Sequence, residues 1–202
     1  TPIRLLPAVD RFLKAQATLA TGEPRRWLSH AAAALRTTRG RAYILGDPYR
    51  NAILRTTIAP TMLTGSAQTN IIPPVASAEL DVRLLPDEDT VAFRRELTRV
   101  IDDSSVHVEV LPGVMPSYSA DIDTPLVRAV EEEIAELLPG VLVTTPLAAG
   151  ATDRPTYSHL GLQAYGLEPY LVEDSEEVRG VHGVDERLSI ANIEFGLKLI
   201  TG

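Results

Sequence analysis

His182, in the run His182-Gly183-Val184-Asp185-Glu186-Arg187, has the type and setting of a metal ligand. A neutral imidazole in a turn ahead of a capped helix is a good single ligand, and Asp185 or Glu186 could orient its second nitrogen. One imidazole does not make a site, because a catalytic zinc needs three or four protein ligands and a cocatalytic pair about five or six. Nothing else in the chain obviously supplies them, and a histidine on a surface loop fits the same spacing. The other histidines give no help. His107 alternates with Val106 and Val108 and so points off an apolar face, and His30 and His159 sit in helical stretches without a partner at ligand spacing. Glu131-Glu132-Glu133 falls inside an amphipathic helical pattern and reads as a solvated face, Asp102-Asp103 as a helix end, and Glu173-Asp174-Glu176-Glu177 as an acidic loop.

Composition narrows the partners. A formal charge of −8 and a pI near 5.0 disfavour nucleic acid and anionic membrane, which need basic patches. Small charged substrates stay open. The absence of cysteine excludes disulfides and thiolate metal sites. No apolar run approaches the roughly 20 residues of a membrane span. With 202 residues and 45% of them apolar, the chain can bury a core as one large domain or two small ones.

The elements that would position these groups fall into two patterns. In the first, Val9, Phe12, Leu13, Ala17 and Ala20 mark a helix entered at Pro7 and closed by Gly22 and Pro24. An Ala-rich helical stretch from Trp27 to Thr37 ends near Gly40, before a Gly46-Asp47-Pro48 turn, and has the look of an insertion or cover. Asn51 to Ile58 suits a strand, and Ala76 to Leu84 alternates clearly, which puts Asp81 and Arg83 together on a polar face. Phe93, Leu97, Val100 and Ile101 mark a helix, and Val106 to Val110 a further strand. One more strand before Pro7 would complete a ferredoxin-like βαββαβ unit. The expected boundary lies in the loop from Pro112 to Thr124, giving domains at 1–112, with a helical insertion at about 23–50, and 113–202.

In the second pattern, Thr124 caps a helix carrying Val127, Val130, Ile134, Leu137 and Leu138. Short strands at 141–145 and 162–165 flank a turn at 149–153 and a short helix, and Ser189 caps a last helix lined by Ile190, Ile193, Leu197 and Ile200. This is an α/β layer. A sheet so thin leaves an edge or an apolar face to cover, so this region is expected to belong to a larger domain.

Six stretches occur in an order and spacing that resemble the M20 family of metallopeptidases, in particular its carboxypeptidase S-like and N-acyl amino acid hydrolase branch. They are Asn51 to Thr57, Thr69 to Ala76, Asp81-Val82-Arg83, Gly150-Ala151-Thr152-Asp153, Tyr165 to Pro169, and His182 to Arg187. The resemblance covers nearly the whole chain. It implies a ferredoxin-like lid that mediates homodimerisation, followed by the second half of an α/β catalytic domain that holds two zinc ions in the intact enzyme. It further implies hydrolysis of an amide bond, in a peptide or N-acyl amino acid, next to a free carboxylate. His182 matches the last metal ligand, and Asn70 and Arg83 match lid positions that recognise the substrate carboxylate. For these two, a turn cap and a pair with Asp81 or Glu79 are equally compatible. The family's remaining ligands, its general base and its lid histidine are expected before Thr1, so no catalytic residue is assigned within the chain, and the isolated chain is expected to be inactive. One departure concerns the Gly150 turn, where the family continues with a small residue and then Arg; here the order is Arg154-Pro155. Arg154 is therefore a displaced substrate-binding candidate. The competing reading is a non-catalytic ferredoxin-like module for dimerisation or small-molecule binding.

Overall fold

Pro7 opens the first helix at a position where its missing N–H costs nothing, and every fourth or so residue after it is apolar. In the computed structural model, which describes residues 1–112, 118–150, 152–171 and 183–202, this is α1, Pro7–Leu19. The chain divides into two compact units, one made of Thr1–Ser119 with Thr144–Leu162, the other of Ala120–Val143 with Gln163–Gly202.

The first unit keeps its core among short helices. α1 is followed by α2 (Gly22–Ser29), α3 (Ala31–Ala34), α4 (Thr38–Gly46) and α5 (Pro48–Ile53). Gly22 starts α2 rather than merely ending α1; its φ of 62° is a left-handed conformation that a glycine adopts without a Cβ penalty. Local caps set the later boundaries. Thr37 accepts a hydrogen bond from the Gly40 N–H at 3.2 Å, and Asp47 accepts one from the Arg50 N–H at 2.8 Å. Val9, Phe12, Leu13 and Ala17 of α1 then pack with Leu28, Ala31, Ala34, Ile44, Ile53 and Leu54. Leu13, Ile44 and Leu54 are fully buried, each contributing roughly 1.5–3 kcal/mol relative to exposure. The stretch expected to be a cover thus contributes Leu28, Ala31 and Ala34 to the core.

The strand expected from Asn51 to Ile58 is corrected. Asp47 as cap and Pro48 as first residue launch α5 through Ile53, and the strand starts only at Thr57. Strand β1 (Thr57–Thr64) pairs antiparallel with β2 (Ser77–Arg83), with a bulge between Pro60 and Met62. Pro60 has no N–H to donate, and β1 takes it as an edge strand. Helix α6 (Thr90–Ile101) follows, capped by Asp89, whose carboxylate accepts from the Ala92 N–H at 2.7 Å.

Among the described residues this is the whole sheet, two strands against the four expected of a ferredoxin-like unit. Residues 106–110, expected to be a strand, have no ladder partner among them. Residues 1–6 form no helix or strand and are tied by the Arg4 N–H to the Leu54 carbonyl at 2.8 Å. The joint beside them is polar. Thr56, 2% exposed, accepts from the Leu85 N–H at 3.1 Å and donates to the Glu88 carboxylate, which with Asp87 also holds Arg4.

In the second unit, α7 (Pro125–Leu137) is capped by Thr124, and Tyr165 fixes its entry by donating to the Asp121 carbonyl at 2.7 Å and pairing with the Thr124 hydroxyl at 3.0 Å. A short helix, α8 (Arg154–His159), belongs to the first unit. The last helix, α9 (Ile190–Thr201), packs against α7 and is capped by Ser189. Two expected strands are corrected here. Residues 141–145 and 162–165 form no strand, again for want of a ladder partner among the described residues. The apolar stripe Ile190, Ile193, Leu197 and Ile200 lies exposed, while Asn192, Gly196 and Leu199 are buried. No helix among the described residues is long and apolar enough to cross a membrane.

Candidate functional site

The β1–β2 ribbon positions two of the candidates and keeps them apart. Arg83 stands at the open end of β2, opposite Thr57. Asn70 is exposed in the turn at the other end, beyond the pairing of Thr64 with Ser77. Six residue steps along a strand separate those ends by roughly 20 Å. The connecting loop closes on itself at its own end, where the Ile71 N–H bonds to the Gln68 carbonyl at 3.4 Å and residues such as Ile71 and Pro73 line a shallow depression of about 350 Å³.

Arg83 is engaged with Asp81, two residues away on the same strand face. Its Nε and Nη2 both donate to Asp81 Oδ2, at 3.1 and 2.7 Å. Both side chains are about two-fifths exposed, so the pair is worth little and can be exchanged for another carboxylate at small cost. A guanidinium held this way is preoriented, and a planar substrate carboxylate offers it two parallel hydrogen bonds.

Arg154 folds back onto its own turn. Its Nε donates to Thr152 Oγ1 at 2.8 Å, and its backbone N–H reaches the same oxygen at 3.4 Å. The hydroxyl thus holds Arg154 at the first turn of α8, one position earlier than the family resemblance implies.

His182 lies outside the described residues, and so does Ala151 of the Gly150 turn. The chain is described again from Gly183 on. Asp185 adopts a left-handed φ of 68°, and its carboxylate pairs with Arg187, which holds that guanidinium's pKa above its ordinary value. Arg187 thus takes one oxygen, Oδ2, of the Asp185 carboxylate suggested as an orienter of the imidazole. Among the described residues no three of His, Asp, Glu or Cys gather where they could hold a metal ion. His30, His107 and His159 are all exposed.

One residue that the periodicity does not single out holds the backbone at Leu171. Asn192, 1% exposed, grips the backbone of Leu171 at two points. Its Oδ1 accepts from the Leu171 N–H at 2.6 Å and its Nδ2 donates to the Leu171 carbonyl at 2.8 Å. One turn on, Gly196 lets the Pro169 carbonyl come so close that an added Cβ would stand 2.5 Å from its oxygen. An Asn and a Gly four residues apart on one face of an otherwise apolar helix are the available sign of a backbone lying against it.

Comparison with known proteins is consistent with this layout. Residues 22–109 match a family model described as a peptidase dimerisation domain of M20 type. The chain is 32% identical over 161 residues to the N-fatty-acyl-amino acid synthase/hydrolase of Homo sapiens, an alignment covering 76% of this chain and 31% of that protein. It is 29% identical over 151 residues to the Danio rerio protein of the same description, covering 74% of this chain and 29% of the relative. A probable carboxypeptidase S-like protein of Dictyostelium discoideum is 28% identical over 146 residues, with 72% and 28% covered. The chain thus spans about a third of the length of the curated relatives it matches. No solved structure matches it. The dimerisation-domain match and the identity shared with these relatives lead to one conclusion: the chain belongs to the M20 peptidase family.

Proposed function

We propose that these 202 residues are the dimerisation lid and the second half of the catalytic domain of a zinc-dependent M20-type hydrolase. Its reaction is cleavage of an amide bond next to a free carboxylate, in an N-acyl amino acid or a peptide. The match of residues 22–109 to a peptidase dimerisation domain carries this reading. Exposed apolar side chains on the same segment, Ile58, Met62 and Leu63 of β1 and Val100 of α6, support pairing into a homodimer, because a lone two-stranded ribbon is at best marginally stable in water. A ferredoxin-like sheet completed by further strands belongs to the same proposal.

Within this reading Arg83 exchanges Asp81 for the substrate carboxylate, Arg154 contributes a further donor, Asn70 at the far end of the ribbon makes a separate substrate contact, and His182 ligates one of two zinc ions. Bound zinc would supply Lewis acidity and an activated water. The described residues by themselves do not fit such a centre, since no ligand set is gathered among them. That observation favours a second statement, that the 202 residues alone act as a non-catalytic module.

Two measurements test this. Zinc content after dialysis, together with hydrolysis of a panel of N-acyl amino acids by the pure chain, is expected to give no stoichiometric metal and no turnover; either one would overturn the non-catalytic statement. In an intact hydrolase carrying this segment, His182→Ala is expected to abolish metal-dependent turnover, and Arg83→Ala to raise KM more than it lowers kcat. Unchanged kinetics in both variants would remove the site assignment.

A further inference from the structure

Residues 24–46 carry five arginines and no Asp or Glu, in a chain with a net charge of −8. Arg39 is already committed. It pairs with Glu23 at 2.6 Å and lies 5.8 Å from the centre of the Trp27 ring. Arg36 and Arg41, on either side of it, are exposed and meet no carboxylate among the described residues. Both line a shallow depression of about 650 Å³, together with Thr38 and the apolar Leu35, Ala42 and Leu45.

The wall of this depression is held firmly. Leu35 and Leu45 pack against the helical core. Thr37 caps α4, and Gly40 lies so close to Ala34 that an added Cβ would stand 2.7 Å from its carbonyl oxygen. The backbone between the two free guanidiniums therefore has little freedom. Two unpaired cations beside apolar side chains suit a ligand with both properties, since a headgroup anion gains a charge-assisted bond from each guanidinium while its apolar part covers the leucines.

We propose that the depression between Leu35 and Leu45 binds amphiphilic anions, a carboxylate or phosphate headgroup on an apolar chain, with Arg36 and Arg41 holding the headgroup. None of Asn70, Arg83, Arg154 or His182 takes part, so the site stands or falls independently of the hydrolase reading.

The test is calorimetric titration of the 202-residue chain at low salt with dodecanoate and with dodecyl phosphate, both below their aggregation thresholds. Dodecanol serves as the uncharged control and inorganic phosphate as the bare anion. Trp27, the single tryptophan, gives a parallel fluorescence readout, because its ring lies 5.3 Å from that of Tyr43 on α4. The expected result is saturable binding of one or both amphiphiles, the tighter headgroup identifying the source. Each of Arg36→Gln and Arg41→Gln should weaken it about tenfold, and Arg25→Gln should leave it unchanged. Dodecanol and phosphate should bind at least about tenfold more weakly. Absence of saturable binding, equal binding of dodecanol, or unchanged affinity in the Arg36→Gln/Arg41→Gln double variant would overturn the proposal.

Discussion

Replacing Asn192 by alanine should loosen the backbone at Leu171 while leaving the helical core of the other unit intact. The side chain makes two hydrogen bonds, at 2.6 and 2.8 Å, to the N–H and carbonyl of Leu171. Each bond of this kind is worth about 1 kcal/mol net, so their joint loss should cost about 2 kcal/mol. Asn192, Gly196 and Leu199 are the buried residues of α9, so the side chain is one of few that tie this helix inward among the described residues. Local opening should therefore rise by a corresponding factor of about 30. Amide hydrogen exchange resolved by residue measures this directly, with Leu171 and the α9 amides exchanging faster and those of Leu13 and Ile44 serving as unchanged references. Exchange at Leu171 within about threefold of the wild-type rate would refute the view that this side chain anchors the segment.

Other outcomes rest on the same geometry. Thr56→Val keeps the shape but strips the hydroxyl that serves the Leu85 N–H and Glu88; chemical unfolding should lose about 1–3 kcal/mol with an unchanged denaturant slope. Gly40→Ala places a methyl 2.7 Å from the Ala34 carbonyl oxygen and 2.9 Å from the capping Thr37 hydroxyl, so a thermal melt should fall, by about 1–3 kcal/mol of stability. The Asp103 carboxyl should titrate below its ordinary value, because the Ser105 hydroxyl and N–H both donate to it at 2.7 and 2.9 Å. A lowered folded pKa means that this stabilisation is present above the unfolded pKa and is lost as pH falls through the folded one. Carboxyl NMR titration should show the depression, and Ser105→Ala should relieve it.

Features written into a few adjacent residues are legible in the sequence alone. Thr124 and Ser189 cap the helices they precede, and the alternation from Ala76 to Leu84 is strand β2, with Asp81 and Arg83 on one face as expected. The pattern misleads where a distant partner decides. The alternation at Leu54, Thr56 and Ile58 suits a strand, yet Leu54 closes the helical core and Thr56 turns inward to bond Leu85 and Glu88. The apolar runs at 106–110, 141–145 and 162–165 carry strand-like residues without a described neighbour to form the ladder. The candidate site divides in the same way. Pairing of Arg83 with Asp81 is local and stands among the sequence-based alternatives, whereas the separation of Asn70 from Arg83 depends on hairpin register. Asn192 escapes a periodicity argument because its partner, Leu171, lies 21 residues away.

The central claim is that residues 22–109 act as a dimerisation domain, and sedimentation equilibrium of the pure chain tests it directly. A solution mass of twice 21.9 kDa, shifted toward 21.9 kDa by Leu63→Asp on the exposed edge strand, is the predicted result. A chain that remains at 21.9 kDa over the whole accessible concentration range would contradict it.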